Sequence, residues 1–93
     1  MFFITAIHYK DDNIQSTATF GYLSDHDEAH GCVARNTCNM DEHLYNYLVI
    51  EDVPEGIHPF PKSECWFEWD EENTLWQAIS PPEFSKHIIN WCF

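Results

Sequence analysis

Basic residues are scarce in this 93-residue chain, where four Lys and Arg stand against sixteen Asp and Glu. The formal net charge of −12 at pH 7 repels nucleic-acid phosphates and anionic membrane surfaces. We therefore expect no direct nucleic-acid partner and no membrane partner. Eleven of the sixteen acids fall in residues 41–93. Such an acidic surface suits a basic protein partner, a bound cation or simple solubility.

Glycine and paired cysteines are also scarce. Three glycines leave little backbone for an oxyanion hole, and the sequence contains no nucleophile elbow and no phosphate-binding loop. We therefore expect no enzyme activity, no catalytic residue and no cofactor. No C-x-x-C pair and no secretion signal occur, so we expect reduced thiols and a cytoplasmic location, the host cytoplasm for a phage-encoded protein. The four thiols are Cys32, Cys38, Cys65 and Cys92.

Long apolar runs are absent as well. The apolar segment Met1–Ile7 lacks a basic flank and ends at His8, which favours a strand over a signal peptide. No stretch reaches the roughly 18 apolar residues of a membrane-spanning helix. The length of 93 residues is typical of one small domain, so we expect a single domain over residues 1–93.

The residue patterns predict an α+β domain with a mainly antiparallel sheet of about five strands. β-branched and aromatic stretches separated by turn residues predict the strands 2–10, 16–23, 44–53, 64–70 and 74–79. A helix over about 25–36 follows Ser24, the expected N-cap, and packs on one face of the sheet. Pro81 and Pro82 can open a short helix. The terminal stretch 88–93 fits either a helix or a strand.

Several short motifs are spread over most of the chain: Phe20-Gly21-Tyr22 before a helix with Ala29 and Val33, Tyr47–Glu51, Glu55–Pro59, Trp66-Phe67-x-Trp69, Pro82-Glu83 and His87-x-x-Asn90. Together they resemble a group of small, mostly uncharacterised α+β proteins of Gram-positive bacteria and their phages and mobile elements. The resemblance implies a compact α+β fold and carries over no catalytic residue. It also implies a phage or mobile-element origin, where small acidic proteins often bind host defence components.

Two histidines four residues apart, His26 and His30, lie on one face of the predicted helix and are the weak metal candidates. Asp27 follows the first histidine where zinc proteases place a Glu, and no third ligand follows at a recognised spacing. The alternative is a solvated first helical turn in which the acids favour the helix dipole. We therefore expect no metal, and we keep a small zinc-binding domain as an alternative.

The segment 64–72, ECWFEWDEE, is the most informative one. Side chains alternate along a strand, so Cys65, Phe67 and Trp69 share one face, and the other face combines an aromatic residue with carboxylates. A tryptophan rimmed by acids is typical of a binding hot spot for a basic partner. The alternative is that Trp66 packs beneath a loop or the C-terminal segment. The predicted partner-binding residues are Glu64, Trp66, Glu68, Asp70, Glu71, Glu72 and Trp76.

These patterns favour a small acidic, non-catalytic interaction protein. We expect a phage or mobile-element inhibitor that binds a basic surface of a host defence protein. One alternative is a protein that binds and sequesters a nucleotide or another small molecule in an aromatic pocket formed by Tyr47, Trp66, Trp69 or Trp76. The small number of Lys and Arg side chains available to bind phosphates argues against an anionic ligand. A homodimer is a further option for the partner, because the apolar stretch 88–93 would favour self-association if it were exposed.

Overall fold

The computed structural model describes residues 1–36, 45–53 and 63–87 of the chain. Among these residues, no helix is long and apolar enough to cross a lipid bilayer. The expectation for residues 88–93 and the motif Glu55–Pro59 fall outside the described residues. The elements are β1 (Phe2–Lys10), β2 (Asn13–Leu23), α1 (His26–Ala34), β3 (Tyr47–Asp52), β4 (Ser63–Asp70), β5 (Leu75–Ile79) and a 3₁₀ turn (Glu83–His87).

The five strands form one sheet in the order β2-β1-β3-β4-β5, and every neighbouring pair is antiparallel. The described residues add one α-helix and the short 3₁₀ turn. The predicted α+β fold, with a sheet of about five strands and a helix, is therefore confirmed. The predicted strand over 16–23 begins three residues earlier, at Asn13, because a two-residue turn closes the first hairpin.

The centre of the sheet is buried on both faces. On the first face, Ile4 lies opposite Ile50 and Ala6 lies opposite Leu48. These side chains form one core cluster with the buried residues of α1, β4 and β5. Apolar residues of both parities in β1 and β3 therefore mark strands that are covered on both sides, as the sequence predicts for 44–53.

The second face carries a smaller apolar cluster built on Ile7, Val49 and Trp66. Phe84 of the 3₁₀ turn covers part of this cluster. Its ring stacks on Tyr9 with a centroid distance of 4.1 Å and meets the Trp66 ring edge-on at 5.8 Å. The segment after β5 thus folds back over the sheet and closes the face opposite α1.

The N-cap of α1 is Asp25 and not the predicted Ser24, and the helix begins at His26. The Asp25 side chain accepts a 2.8 Å hydrogen bond from the backbone N–H of Asp27. Asp27 and Glu28 follow in the first turn, where negative charge interacts favourably with the helix dipole. The helix ends at Ala34, about two residues before the predicted end. Ala29 and Val33 face the sheet and are part of its core cluster.

Candidate interaction surface

Two acidic turns lie at the same end of the sheet. In the antiparallel register the C-terminal ends of β1 and β4 both lie beside the N-terminal end of β3. The β1–β2 turn and the β4–β5 turn therefore project from one end. Residues 10–13 and 70–75 contain five acids and one base, Lys10. We call this group the acidic end; its acids are Asp11, Asp12, Asp70, Glu71 and Glu72.

The β4–β5 turn is held in shape by the carboxylate of Asp70. This carboxylate accepts hydrogen bonds from the Asn73 side-chain amide at 2.8 Å, the Glu72 N–H at 3.0 Å and the Asn73 N–H at 3.3 Å. The hydrogen bonds, chiefly those from Asn73, favour the ionised carboxylate and lower the pKa of Asp70. Glu71 and Glu72 are exposed at the tip of this ordered turn.

The β1–β2 turn is a tight two-residue connection. Asp11 and Asp12 both have positive φ angles, 54° and 62°, as the type I′ turns of hairpins require. The Asn13 side chain donates a 3.0 Å hydrogen bond to the Asp11 carbonyl, and Lys10 pairs with Asn13 across the hairpin. Both aspartates are exposed. The short turn thus fixes two further carboxylates at the acidic end.

Asn46 holds the strands of this end together. Its side-chain oxygen accepts from the Tyr9 N–H at 2.8 Å, and its side-chain amide donates to the Tyr9 carbonyl, also at 2.8 Å. Its backbone N–H donates to the Ile7 carbonyl, and its carbonyl accepts from the Trp69 N–H. One residue before β3 therefore joins β1 to β4 and continues the sheet to the acidic turns.

Glu68 extends the negative charge along the same face of β4. It is exposed and pairs with Tyr47 of β3. Burial raises the pKa of the Tyr47 phenol, and the charge of Glu68 and its hydrogen bond with Tyr47 raise that pKa further. The phenol beside this carboxylate therefore stays neutral at neutral pH.

The two tryptophans of the predicted partner surface are not surface residues. Trp66 lies on the face of the carboxylates, as the alternation predicts, but its side chain is 2% exposed. Its indole N–H donates to Glu64 at 3.3 Å. The alternative, in which Trp66 packs inside a covered face, is the observed arrangement. Trp66 therefore anchors the core and cannot meet a partner directly.

Trp76 lies on the opposite face of the sheet and is 6% exposed. It pairs with Trp69, and the two rings meet edge-on at 5.2 Å. Its indole N–H donates to the Asn36 side chain at 3.1 Å. Trp66 and Trp76 therefore do not face each other across the hairpin, because the register places Ile79 opposite Trp66.

The four aromatic residues of the alternative ligand pocket are divided between the two faces. Tyr47 and Trp66 belong to the cluster beneath Phe84, whereas Trp69 and Trp76 pack with the cluster beneath α1. The sheet separates the two pairs. These side chains therefore do not line a common pocket for a stacked base.

The two histidines of α1 are close, with a ring-centroid distance of 4.2 Å. His26 also contacts Phe2 edge-on, and His30 contacts Phe67 edge-on. In residues 1–36, 45–53 and 63–87, no group of three or more His, Cys, Asp or Glu side chains could hold a metal ion. The Nε2 atom of His30 is buried and has no hydrogen-bond partner in the structure. One ring nitrogen of the half-buried His30 therefore lies away from solvent, beside the rings of His26 and Phe67.

Burial and the neighbouring His26 lower the pKa of His30, while Asp27 partly opposes the shift. The unfolded chain has the ordinary pKa of about 6.5 and so binds the proton more readily than the folded chain. As pH falls through about 6.5, this group is therefore expected to reduce the free energy of unfolding.

Urea unfolding at pH 5 to 7 tests this expectation. The free energy of unfolding should depend less on pH for His30→Phe, which keeps a ring against Phe67, than for the wild type. A His8→Gln variant serves as the control. Equal slopes for His30→Phe and the wild type would contradict the expectation.

Sequence reasoning missed Asp11, Asp12 and Asn46. The aspartates stand in the predicted first turn, but their position beside the β4–β5 turn depends on the strand order. Asn46 lies within the predicted strand 44–53 and carries no motif that marks it. Comparison with protein-family models, with curated proteins and with solved structures found no match for this chain.

Proposed function

We propose that this chain is a small acidic, non-catalytic interaction protein whose acidic end binds a basic surface of a partner protein. The observation that carries the proposal is the convergence of two ordered turns at one end of the sheet. Four exposed carboxylates, Asp11, Asp12, Glu71 and Glu72, project from backbone that a hairpin and the Asp70 hydrogen bonds hold in place. Fixed charges lose less conformational entropy on binding than charges on a flexible tail.

The partner should carry a patch of Lys and Arg, since complementary charge speeds encounter and disfavours other partners. We further propose that the chain is a phage or mobile-element inhibitor and that the basic patch belongs to a host defence protein. The resemblance to small proteins of Gram-positive bacteria and their mobile elements supports this choice. The net charge of −12 supports a target whose own ligand is a nucleic acid, because such targets are basic.

The test compares two variants of equal charge. Glu71→Gln with Glu72→Gln changes the acidic end, and Asp27→Asn with Glu28→Gln changes the start of α1 at the other end of the sheet. Each pair raises the net charge from −12 to −10. Tagged proteins expressed in a Gram-positive host are used to capture partners, and the dissociation constant of a purified partner is then measured at several salt concentrations.

The wild type and the α1 variant are expected to bind with similar affinity. The variant of the acidic end should bind about tenfold more weakly, and salt should weaken binding of the wild type. Equal losses in both variants would assign the effect to net charge alone and contradict the proposal. A captured partner whose binding surface is poor in Lys and Arg would also contradict it.

A further inference from the structure

The edge strand β2 differs in composition from the rest of the surface. Its eleven residues, Asn13–Leu23, include no Asp, Glu, Lys, Arg, His or Pro, in a chain that has sixteen acids. Three of the five exposed large hydrophobic residues among the described residues lie on it, namely Ile14, Phe20 and Tyr22. Tyr22 is 62% exposed. A long, uncharged edge strand is the type of edge that pairs with another strand.

Natural proteins protect edge strands from pairing with charged residues, prolines or β-bulges. Of these features, β2 has only β-bulges or similar irregularities. Its register with β1 skips Gln15 and Phe20, so the pairing is irregular at these two positions. Between them, Ser16–Thr19 pairs regularly with Thr5–His8. The irregular positions therefore confine an added strand to a short central segment, where the side chains are small or β-branched and exposed or half-buried.

We propose that β2 pairs antiparallel with β2 of a second copy of this chain through Ser16–Thr19. The charge distribution favours a second copy of this chain as the partner of β2. Two chains of −12 repel each other, so they can approach only where carboxylates are absent, and residues 13–24 contain none. A basic partner, by contrast, would gain nothing from an uncharged edge.

The antiparallel arrangement also separates the acidic ends. A two-fold axis between adjacent β2 strands turns one copy through half a rotation, so that the two acidic ends point in opposite directions. The ten strands then form one continuous sheet. The added hydrogen bonds satisfy backbone groups of β2 that face away from β1, and the exposed apolar side chains of β2 gain cover.

The test introduces a charged residue near the two-fold axis, where the same residue of the second copy lies close to it. Thr17 is exposed and lies in the central segment, so Thr17→Lys places like charges near each other in a homodimer, and so does Thr17→Glu. Each variant alone is expected to raise the dimer dissociation constant at least about tenfold. An equimolar mixture of the two variants should restore the dimer. Sedimentation velocity over a range of protein and salt concentrations measures the association, and thermal unfolding verifies the fold of each variant.

The other edge strand supplies the matched control. Leu75 of β5 is 43% exposed, and Leu75→Lys and Leu75→Glu should leave the dimer unchanged. Salt should strengthen the dimer by screening the two negative copies, whereas it should weaken a basic partner on the acidic end. A wild type that stays monomeric at high salt and concentration would overturn the proposal. Open-ended assembly, or a dimer that responds to Leu75 charges and not to Thr17 charges, would overturn it as well.

Discussion

Replacing Trp66 by alanine is expected to lower the free energy of unfolding by about 3–5 kcal/mol. The side chain is 2% exposed and packs with Ile7, Val49 and Phe84 on the face opposite α1. Its removal leaves a cavity and breaks the indole hydrogen bond to Glu64. For a domain of this size the loss corresponds to a fall of more than about 12 °C in Tm. Urea and thermal unfolding followed by circular dichroism measure both quantities.

Two further variants make this result specific. Trp66→Phe keeps an aromatic ring and is expected to cost about 1–2 kcal/mol, because less volume is lost. Leu75→Ala, at an exposed position on β5, should change the free energy of unfolding by no more than about 0.5 kcal/mol. A loss below 1 kcal/mol for Trp66→Ala would mean that the ring is not part of the core. The exposed Trp of a binding surface would then again become the better interpretation.

The central strands β1 and β3 could be predicted from the sequence because their apolar pattern is typical of strands that are buried on both faces. Residues 48–50 are apolar at both parities, which suits a strand that is covered on both faces. Ile4 and Ala6 alternate with Thr5 and Ile7 in the same way, and all four are buried. The apolar pattern of consecutive residues is enough to predict that both faces of these strands are buried.

The faces of the two tryptophans could not be predicted because they depend on the length of one turn. The sequence suggests a three-residue turn, 71–73, which would place Trp66 and Trp76 on the same face. The structure has a four-residue turn, and Asp70 pairs with Leu75. A shift of one residue moves every side chain of the second strand to the other face. Asp70 fixes the longer turn through its hydrogen bonds to Glu72 and Asn73.

The acidic end could be predicted only in part. Residues 70–72 are acidic in sequence, and the structure places their turn as expected after β4. Asp11 and Asp12 join them because β1 and β4 are both neighbours of β3, and no local pattern encodes that order. The isolation of β2 at an edge follows from the same order. Both proposed interaction surfaces therefore depend on the strand order, which brings two distant turns to the acidic end and places β2 at an edge of the sheet.

Replacing Asn46 by alanine is expected to lower the free energy of unfolding by about 2–3 kcal/mol. The substitution removes two part-buried hydrogen bonds of 2.8 Å to Tyr9, and it leaves the Tyr9 N–H and carbonyl without these partners. Asn46→Asp retains the shape but loses the donor and brings a carboxylate to the Tyr9 carbonyl, so its loss should be at least as large. Chemical unfolding of both variants measures these losses.

Asn13→Ala is the matched control, since its amide donates to the Asp11 carbonyl in an exposed turn. It should cost less than about 1 kcal/mol. Asn46→Ala also separates rigidity from charge at the acidic end, because it leaves the net charge at −12. If the fixed positions of the carboxylates support binding, this variant should bind a basic partner more weakly under conditions in which it is fully folded. Unchanged affinity would mean that the number of charges at this end is sufficient and that their fixed geometry contributes nothing.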